Sequence, residues 1–384
     1  MIIYWSMIAW VLLFYFIYSL GHKNKKVYDF TGQSINNIQQ DNEFVYYKIP
    51  YIYAVFVFGY FVFWIGIRRY VADTVTYIPM FEAIPNDFST AWSNIDWENS
   101  KSPLFEAFNV IFKNFISDNY TWWLMTIAIF SGFCVLKTLH KYSLNFFYSS
   151  YLFITLLTFT WMMNGMRQFI CVSFLFLLCD WLIEGKFLRY LILCCILYYV
   201  HVTVIVMIPI YFVARSKPWS KRIFAFLVCI ILICIFSEPF FNTVEDAVGG
   251  TAYSSATSQF GEDDGVNPLR VLFYAIPPFL AFWKKDKLNS YFEKYKLLPI
   301  SINMSLIAFS LCFVAMFTSG ILIGRMPVYA DVYNLILIPF ILYLGFEKED
   351  RTWASVLYAL IALVYFYTQW NGTNYDSELT GFFV

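Results

Sequence analysis

The sequence predicts an all-α, polytopic integral membrane protein. Of its 384 residues, 60% are hydrophobic and only 14% are charged, whereas a soluble domain carries roughly 25% charged residues. Because about 20 apolar residues span a bilayer, its apolar runs predict about ten full transmembrane helices, at about 2–20, 50–67, 121–139, 145–163, 167–184, 222–241, 269–283, 299–321, 326–346 and 352–370. Acidic and basic residues balance at 26 each, so the net charge gives no indication of a nucleic-acid partner.

The first run begins without a basic segment and has no small-residue cleavage site. We therefore expect a retained transmembrane helix and not a signal peptide. No internal repeat is visible, and we expect residues 1–384 to form a single transmembrane domain. The eight cysteines lie in apolar segments without paired or metal-type spacing, which favours small core side chains over a disulfide framework.

Short basic clusters predict the orientation of the helices. They lie at 23–26, 137–141, 186–189, 215–222, 284–296 and 348–351. Cytoplasmic loops are enriched in Lys and Arg, so an even number of crossings should separate consecutive clusters. Every interval obeys this rule except the one between 189 and 215, which a simple count fills with one long helix.

The exceptional run, 187–214, therefore predicts a re-entrant helical hairpin with His201 at its turn. About 12 residues on each side of the histidine give helices of about 18 Å, too short to cross roughly 30 Å of hydrocarbon. Irregular backbone at membrane depth is tolerated where it lines an enclosed or watery cavity, and His201 would lie at the floor of such a cavity. The alternative is one long tilted helix whose histidine bonds to a neighbouring helix.

This topology places the amino terminus outside, together with the loops 68–120 and 242–268. The second loop has five acidic residues and no Lys or Arg, which suits the non-cytoplasmic side. Its segment 261–267 contains the acids of a metal loop but lacks the alternate-residue spacing of an EF-hand. We interpret this segment as a solvated turn and predict no metal site.

The first external loop contains a predicted amphipathic helix at 103–116. Ser102 is a suitable N-cap and Pro103 a suitable first residue. Apolar residues then recur on one stripe, which predicts a helix lying along the outer membrane surface. The stripe comprises Leu104, Phe105, Phe108, Ile111, Phe112 and Phe115.

The same loop opens with "IRRYVADTVTYIPMF", in which Arg68 and Arg69 emerge at a membrane boundary. The rigid guanidinium fork suits bidentate phosphate binding; snorkelling to lipid headgroups is the alternative. Asp73 follows on the same face if the helix continues. It is a candidate general base, or a salt-bridge partner of the arginines.

Two later segments add polar residues on the predicted external side. Asn164, Arg167 and Gln168 lie between two apolar runs. Since an arginine at a helix start opposes the dipole, we expect a substrate phosphate or an internal carboxylate to compensate it, with snorkelling as the alternative. Arg325 is the only charge between two further apolar runs, and Tyr329 follows it. Together the four arginines predict an anion site in an outward-facing cavity.

Five segments resemble, in order, blocks of the EpsG family of bacterial membrane proteins, regarded as Wzy-type polymerases of exopolysaccharide, capsule and O-antigen clusters. They are "RRYVADTVTYIPMF", "KSPLFEAFNVIF", "NGMRQFICVSFLFL", "YVHVTVIVMIPIYF" and "GRMPVYADVY". The resemblance spans about residues 60–345. One departure is Ala72, where the family often has glycine before the aspartate, and nothing is carried over beyond residue 370.

The resemblance implies a polymerase of the bacterial plasma membrane whose active site faces the periplasm or the exterior. It would transfer a growing polysaccharide from its undecaprenyl diphosphate carrier to the terminal sugar hydroxyl of a new lipid-linked repeat unit on the outer leaflet. The implied partners are these repeat units, membrane lipids, and a chain-length regulator and a flippase of the same pathway. The expected architecture is GT-C-like.

In this interpretation the acceptor hydroxyl needs a base. We favour Asp73, with His201 orienting the diphosphate; the reverse assignment stays open. Cationic donors would stabilise the leaving diphosphate, and no metal or cofactor is expected because arginines can replace a divalent ion. The diphosphate-binding candidates are Arg68, Arg69, Arg167, Gln168 and Arg325, and the further substrate-binding candidates are Asn164, Tyr77, Glu98 and Tyr329.

Two other functions compete with polymerisation. An O-antigen-type ligase, or another lipid-linked glycan transferase, would need the same arginines and differ only in its product. A flippase or transporter of lipid-linked oligosaccharide usually has polar groups near the midplane and a repeated topology. The sequence shows no such repeat.

Overall fold

The computed structural model describes residues 1–21, 48–236, 265–320, 323–371, 373–377 and 379. Regular secondary structure in these residues is helical, with one isolated β-bridge between Arg68 and Ser377. The all-α prediction is thus confirmed for this part of the chain. The basic cluster 23–26 and residues 242–264 of the predicted acidic loop lie outside the described residues.

The described helices are numbered here in chain order. The first nine are α1 (Ile2–Gly21), α2 (Tyr51–Gly66), α3 (Thr74–Glu82), α4 (Phe88–Ser93), α5 (Pro103–Phe115), α6 (Tyr120–Tyr142), α7 (Phe146–Thr155), α8 (Met166–Leu177) and α9 (Cys179–Glu184). The others are α10 (Phe187–Tyr198), α11 (Met207–Ala214), α12 (Lys221–Ile235), α13 (Pro268–Trp283), α14 (Lys285–Asn289), α15 (Leu297–Met316), α16 (Val328–Asp331), α17 (Asn334–Gly345) and α18 (Lys348–Trp370).

The chain divides into two compact units. The first unit comprises residues 1–82, 119–177 and 338–384, and the second comprises residues 83–118 and 178–337. The prediction of a single transmembrane domain stays a prediction.

Four of the described helices have the length and hydropathy of a full transmembrane span, namely α1, α6, α15 and α18. A fifth span results if Ile323–Asp331 and α17 are counted together across their 50° bend. The chain is therefore a polytopic, membrane-embedded protein. The predicted number of about ten full spans is not reached in the described residues: each predicted run contains a helix, but several helices are shorter than about 20 residues.

Breaks in the backbone account for some of the short helices. Leu157 adopts a left-handed conformation with φ of 62° between α7 and the 3-10 helix Thr158–Met162. A residue with a side chain cannot continue an α-helix from this conformation. A second interruption at Leu178 separates α8 from α9. Both predicted runs are apolar on either side of the break, so hydropathy alone does not show it.

The segment 187–214 is a helical hairpin and not one long helix. The chain runs through α10, turns at residues 199–201 and returns through the 3-10 helix Val202–Val206 into α11. His201 is the last residue before the returning arm, as the charge-parity argument predicts.

Side chains from the two ends of this hairpin touch each other. The rings of Phe187 and Phe212 lie 4.9 Å apart between centroids, and the guanidinium of Arg215 lies against Gly185. The two basic clusters at these ends are therefore neighbours. The hairpin prediction is confirmed, the single tilted helix is wrong, and entry of the hairpin into a membrane stays a prediction.

The predicted amphipathic helix is present as α5, with proline in its first turn. Its apolar stripe divides between two environments. Phe105 and Phe112 are buried in the protein, whereas Leu104 and Phe115 are exposed. An exposed apolar ridge on an otherwise packed helix suits contact with lipid, which stays a prediction.

We expect both ends of the hairpin to face the same side of the membrane. In a variant without the eight native cysteines, Lys186→Cys and Lys217→Cys should react equally with a membrane-impermeant maleimide applied from the cytoplasmic side. A cysteine at Asp118, in the predicted external loop, is the control and should react only from the outside. Labelling of the two hairpin ends from opposite sides would contradict a re-entrant hairpin.

Candidate functional site

The candidate site in the first unit is organised by a hydrogen bond between Asp73 and Gly165. The Gly165 N–H donates to the Asp73 carboxylate oxygen Oδ2. Gly165 lies at the start of α8, where its carbonyl accepts the Phe169 N–H at 2.9 Å. A carboxylate is favoured at this positive helix end. The structure thus places an internal carboxylate at the start of the helix that carries Arg167, and the compensation of Arg167 by this carboxylate stays a prediction.

Left-handed backbone occurs at one partner of this hydrogen bond and directly before the other. Gly165 has φ of +87°, and a Cβ atom there would lie 3.0 Å from the ring of Trp161. Ala72, directly before Asp73, has φ of 53°. This conformation favours glycine. The glycine that the family often has at this position would therefore fit the backbone better than Ala72 does.

Arg68 lies inside the first unit, only 1% exposed. Its Nη1 donates to the carbonyl of Ile65 at 2.6 Å, and its Nη2 lies 3.6 Å from Met166 Sδ. Burial lowers the pKa of Arg68 to about 10, opposed by interaction with Tyr375 and Asp73. The guanidinium therefore stays protonated at neutral pH as an enclosed positive charge close to Asp73.

The carboxyl-terminal segment 373–377 covers this arginine. The Arg69 N–H donates to the Asp376 carbonyl at 2.8 Å, and Arg68 and Ser377 form the isolated β-bridge. Tyr375 donates its hydroxyl to a backbone carbonyl near the end of α2, at 2.5 Å. The sequence gives no signal for this contact, because a short extended segment without periodicity pairs with residues about 300 positions earlier.

The other candidates of the first unit differ in accessibility. Arg69 is half-buried, and so is Arg167, whose guanidinium lies 5.3 Å from the centroid of the Tyr77 ring. Such a cation–π contact orients the arginine while leaving its charge in place. Gln168 is buried and Asn164 is exposed. Arg69 and Arg167 are thus more accessible than the enclosed Arg68 of the same unit.

A chain of hydrogen bonds extends from His201 in the second unit. His201 Nδ1 lies 2.8 Å from Thr203 Oγ1, which lies 3.1 Å from the Tyr329 hydroxyl. Tyr329 is only 2% exposed, so this chain of hydrogen bonds reaches into the interior of the protein. The sequence pointed to His201 and Tyr329 but not to Thr203, although a hydroxyl two residues after the histidine in an apolar run was an available signal.

Arg325 and Glu98 lie at the surface of the second unit. Arg325 ends the 3-10 helix Ile323–Arg325. Glu98 lies in a turn where its backbone N–H donates to the carboxylate of Asp96 at 3.1 Å. The structure thus gives two groups of candidates: Arg68, Arg69, Asp73, Tyr77, Asn164, Arg167 and Gln168 in the first unit, and Glu98, His201, Arg325 and Tyr329 in the second.

Sequence reasoning missed a buried charged group in the second unit. Asp331 is 7% exposed and accepts a hydrogen bond from Asn334 Nδ2 at 2.8 Å. Arg270 interacts with this carboxylate through its charge. Arg270 is the only charged residue from 265 to 283, so the argument that singled out Arg325 applies equally to it.

In the described part of the chain, no three His, Cys, Asp or Glu residues are grouped so that they could hold a metal ion. All eight cysteines are free thiols, and most of them are buried. Most of the predicted turn at 261–267 lies outside the described residues, and its interpretation stays a prediction.

Comparison with protein families shows a match to the EpsG family over residues 51–380. The match includes both groups of candidate residues and the carboxyl-terminal segment. Comparison with curated proteins and with solved structures gives no match. The resemblance inferred from five sequence blocks is confirmed over a longer span than those blocks cover, and the GT-C-like architecture stays a prediction.

The two left-handed positions should respond in opposite directions to substitution. Ala72→Gly should stabilise the protein by up to about 1 kcal/mol. The left-handed conformation costs a residue with a side chain roughly 1–2 kcal/mol, and the greater conformational freedom of glycine in the unfolded chain offsets part of the relief of this strain. Gly165→Ala should destabilise it by at least roughly 1–2 kcal/mol. Thermal unfolding in detergent, followed by tryptophan fluorescence, measures both.

Gly59→Ala is the matched control for these variants, since a Cβ atom at this α2 position meets nothing within 4 Å. Replacing glycine by alanine inside a helix should stabilise it by roughly 0.5–1 kcal/mol. Equal melting temperatures for the Gly165 and Gly59 variants would show that the Gly165 backbone is not constrained as described.

Proposed function

Because this chain belongs to the EpsG family, we propose that it is a Wzy-type glycan polymerase acting at the outer leaflet of a bacterial plasma membrane. The terminal sugar hydroxyl of a lipid-linked repeat unit attacks the anomeric carbon of the growing polysaccharide. The bond from that carbon to the undecaprenyl diphosphate oxygen breaks, and its electrons remain on the diphosphate. The hydroxyl proton passes to a base on the protein.

The proposal rests above all on the group around Asp73, where a fixed carboxylate and arginines lie together in a largely apolar protein. Negative charge develops on the diphosphate as the bond to the sugar breaks, and preorganised cations stabilise such charge. Arg69 and Arg167 are half-buried, and their guanidinium groups suit bidentate phosphate contacts. We assign direct contact with the diphosphate to these two arginines.

Arg68 takes a different role in this proposal. Its side chain is enclosed, and its Nη1 is already bonded to the Ile65 carbonyl. The charge interaction with Asp73 suits an arginine that holds the carboxylate in place. We therefore propose that Arg68 stabilises the site from inside the protein and does not contact the diphosphate. Arg325, exposed in the second unit, is a further candidate for phosphate contact.

Asp73 is our preferred base. The Gly165 N–H fixes one oxygen of its carboxylate, and a base must be held within hydrogen-bond reach of the proton that it removes. His201 is oriented through Nδ1 by Thr203, and the hydrogen bond at one ring nitrogen decides the proton state of the other. We assign to His201 the orientation of a diphosphate; it is also the alternative base.

An apolar groove of about 560 Å³ in the second unit suits the isoprenoid chain of the carrier. It is lined by Trp97, Leu104, Leu191, Ile192, Cys195, Ile196 and Tyr199. Most of these residues form one face of α10, which leads to the turn that carries His201. An amphiphile with its tail along α10 would therefore have its polar head at the His201 end.

Replacing the two candidate bases should separate their roles. Asp73→Asn keeps an acceptor for the Gly165 N–H but cannot take a proton, and loss of a general base lowers the rate by roughly 10²–10⁴-fold. His201→Ala should mainly raise the KM for lipid-linked substrate. The assay is the ladder of products formed by purified protein from lipid-linked repeats, and Asp118→Asn, at an exposed position, is the matched control.

Full activity of both the Asp73 and the His201 variants would remove both residues from the mechanism. The product of the wild-type reaction tests the function itself. A ladder supports a polymerase, and a single transfer to a different acceptor indicates a ligase. Movement of intact lipid-linked units across a vesicle membrane, without a new glycosidic bond, indicates a transporter.

Filling the apolar groove should weaken binding of the lipid chain. Ile196→Trp is expected to raise the KM for full-length undecaprenyl substrates while leaving their kcat unchanged. It should have little effect on analogues with a short isoprenoid chain. Leu188→Trp is the matched control, on the same helix and exposed but outside the groove. Equal kinetics for the two variants would argue against this groove as the lipid site.

A further inference from the structure

The second unit contains the first half of a broken apolar helix, and this half carries two of the candidate residues. The halves, Ile323–Asp331 and α17, are bent by 50° at the break. Irregular backbone at membrane depth is tolerated where it is buried in protein or lines a cavity. The first half includes Arg325 and Tyr329, so whatever holds this half in place also places these side chains.

Arg270 holds the backbone at the start of this half. Its Nη2 donates to the carbonyl of Gly324 at 3.1 Å, and Gly324 directly precedes Arg325. The guanidinium also lies 5.4 Å from the centroid of the Tyr274 ring, one turn further along α13. A planar guanidinium that is bonded to a backbone carbonyl and packed on a ring has little freedom to move.

Asp331 holds the other end of the same half. Its Oδ1 accepts from Asn334 across the break, and its carboxylate also accepts a hydrogen bond from Tyr274 and interacts with the charge of Arg270. Tyr274 therefore contacts both Arg270 and Asp331. The two ends of the half-helix are connected to a single position on α13.

We propose that Arg270 and Asp331 form a charge-paired clamp that positions Arg325 and Tyr329 for the substrate. The catalytic consequence rests on the proposed function, whereas the clamping of the half-helix does not. Arg270 acts through the backbone of Gly324, and Asp331 acts through its own helix. Both are positioning residues.

Physical chemistry distinguishes this role from simple stabilisation. Asp331 is buried and Arg270 is half-buried. Removing the partner of a buried charge leaves that charge uncompensated and is destabilising, whereas replacing both charged groups by neutral ones is often neutral or stabilising. A pair that only stabilises the fold can therefore be replaced as a unit without loss of function. A pair that sets geometry cannot, because neutral side chains do not reproduce the hydrogen bond to Gly324.

The test uses Arg270→Met, Asp331→Asn, the double variant and the conservative Arg270→Lys. Each neutral single variant should melt at a lower temperature, and the double variant should recover most of that loss. Its kcat/KM for polymerisation should nevertheless stay roughly 10²-fold below wild type, the effect of a misplacement of about 1 Å. Arg270→Lys should retain stability and show a raised KM. A double variant with wild-type melting and wild-type kinetics would overturn the proposal.

A second measurement is independent of the reaction. A nitroxide spin label attached to Arg325→Cys, in a variant without native cysteines, reports the mobility of this half-helix by electron paramagnetic resonance. The label should be more restricted in the background with the Arg270–Asp331 pair than in the folded double variant. Equal mobility would reject the clamp whatever the protein catalyses, whereas a restricted label, together with an absence of polymerisation by the unlabelled wild-type protein, would reject only the proposed function.

Discussion

The hydrogen bond from the Gly165 N–H to the Asp73 carboxylate is the contact on which the first group of candidate residues depends. It joins the loop after α2 to the start of α8, and each partner reaches it through left-handed backbone at Ala72 or Gly165. Arg68 adds a buried positive charge, and Arg167 lies in the first turn of the same helix. This one contact between two helix ends thus holds the Asp73 carboxylate near Arg68 and at the start of the helix that carries Arg167.

The second unit also provides partners for its polar side chains, with different residues. In a chain with so few charged groups, a buried charge without a partner is costly. Asp331 is accordingly bonded to Asn334 and interacts with Arg270, while His201 is bonded to Thr203. In both units the polar residues lie at breaks between helices. Helix ends supply backbone groups that need partners, and these breaks are also where a polar substrate would find donors.

The sequence predicts the helical class and the hairpin at 187–214 correctly, because hydropathy and charge parity are summed over many residues. It does not predict the interruption at Leu157, which depends on one backbone conformation inside an apolar run. Arg270 was within reach of the argument used for Arg325 and was missed. The sequence could not predict that residues 373–377 cover Arg68, since this contact depends on pairing between distant segments.

The pairing of residues 373–377 with Arg68 and Arg69 has a consequence for biosynthesis. A membrane protein is inserted from its amino terminus while translation continues, so the arginines emerge from the ribosome about 300 residues before the segment that covers them. The first unit cannot enclose Arg68 until residues 373–377 have been made and have reached it. This group of candidate residues is therefore completed well after its own arginines have been synthesised.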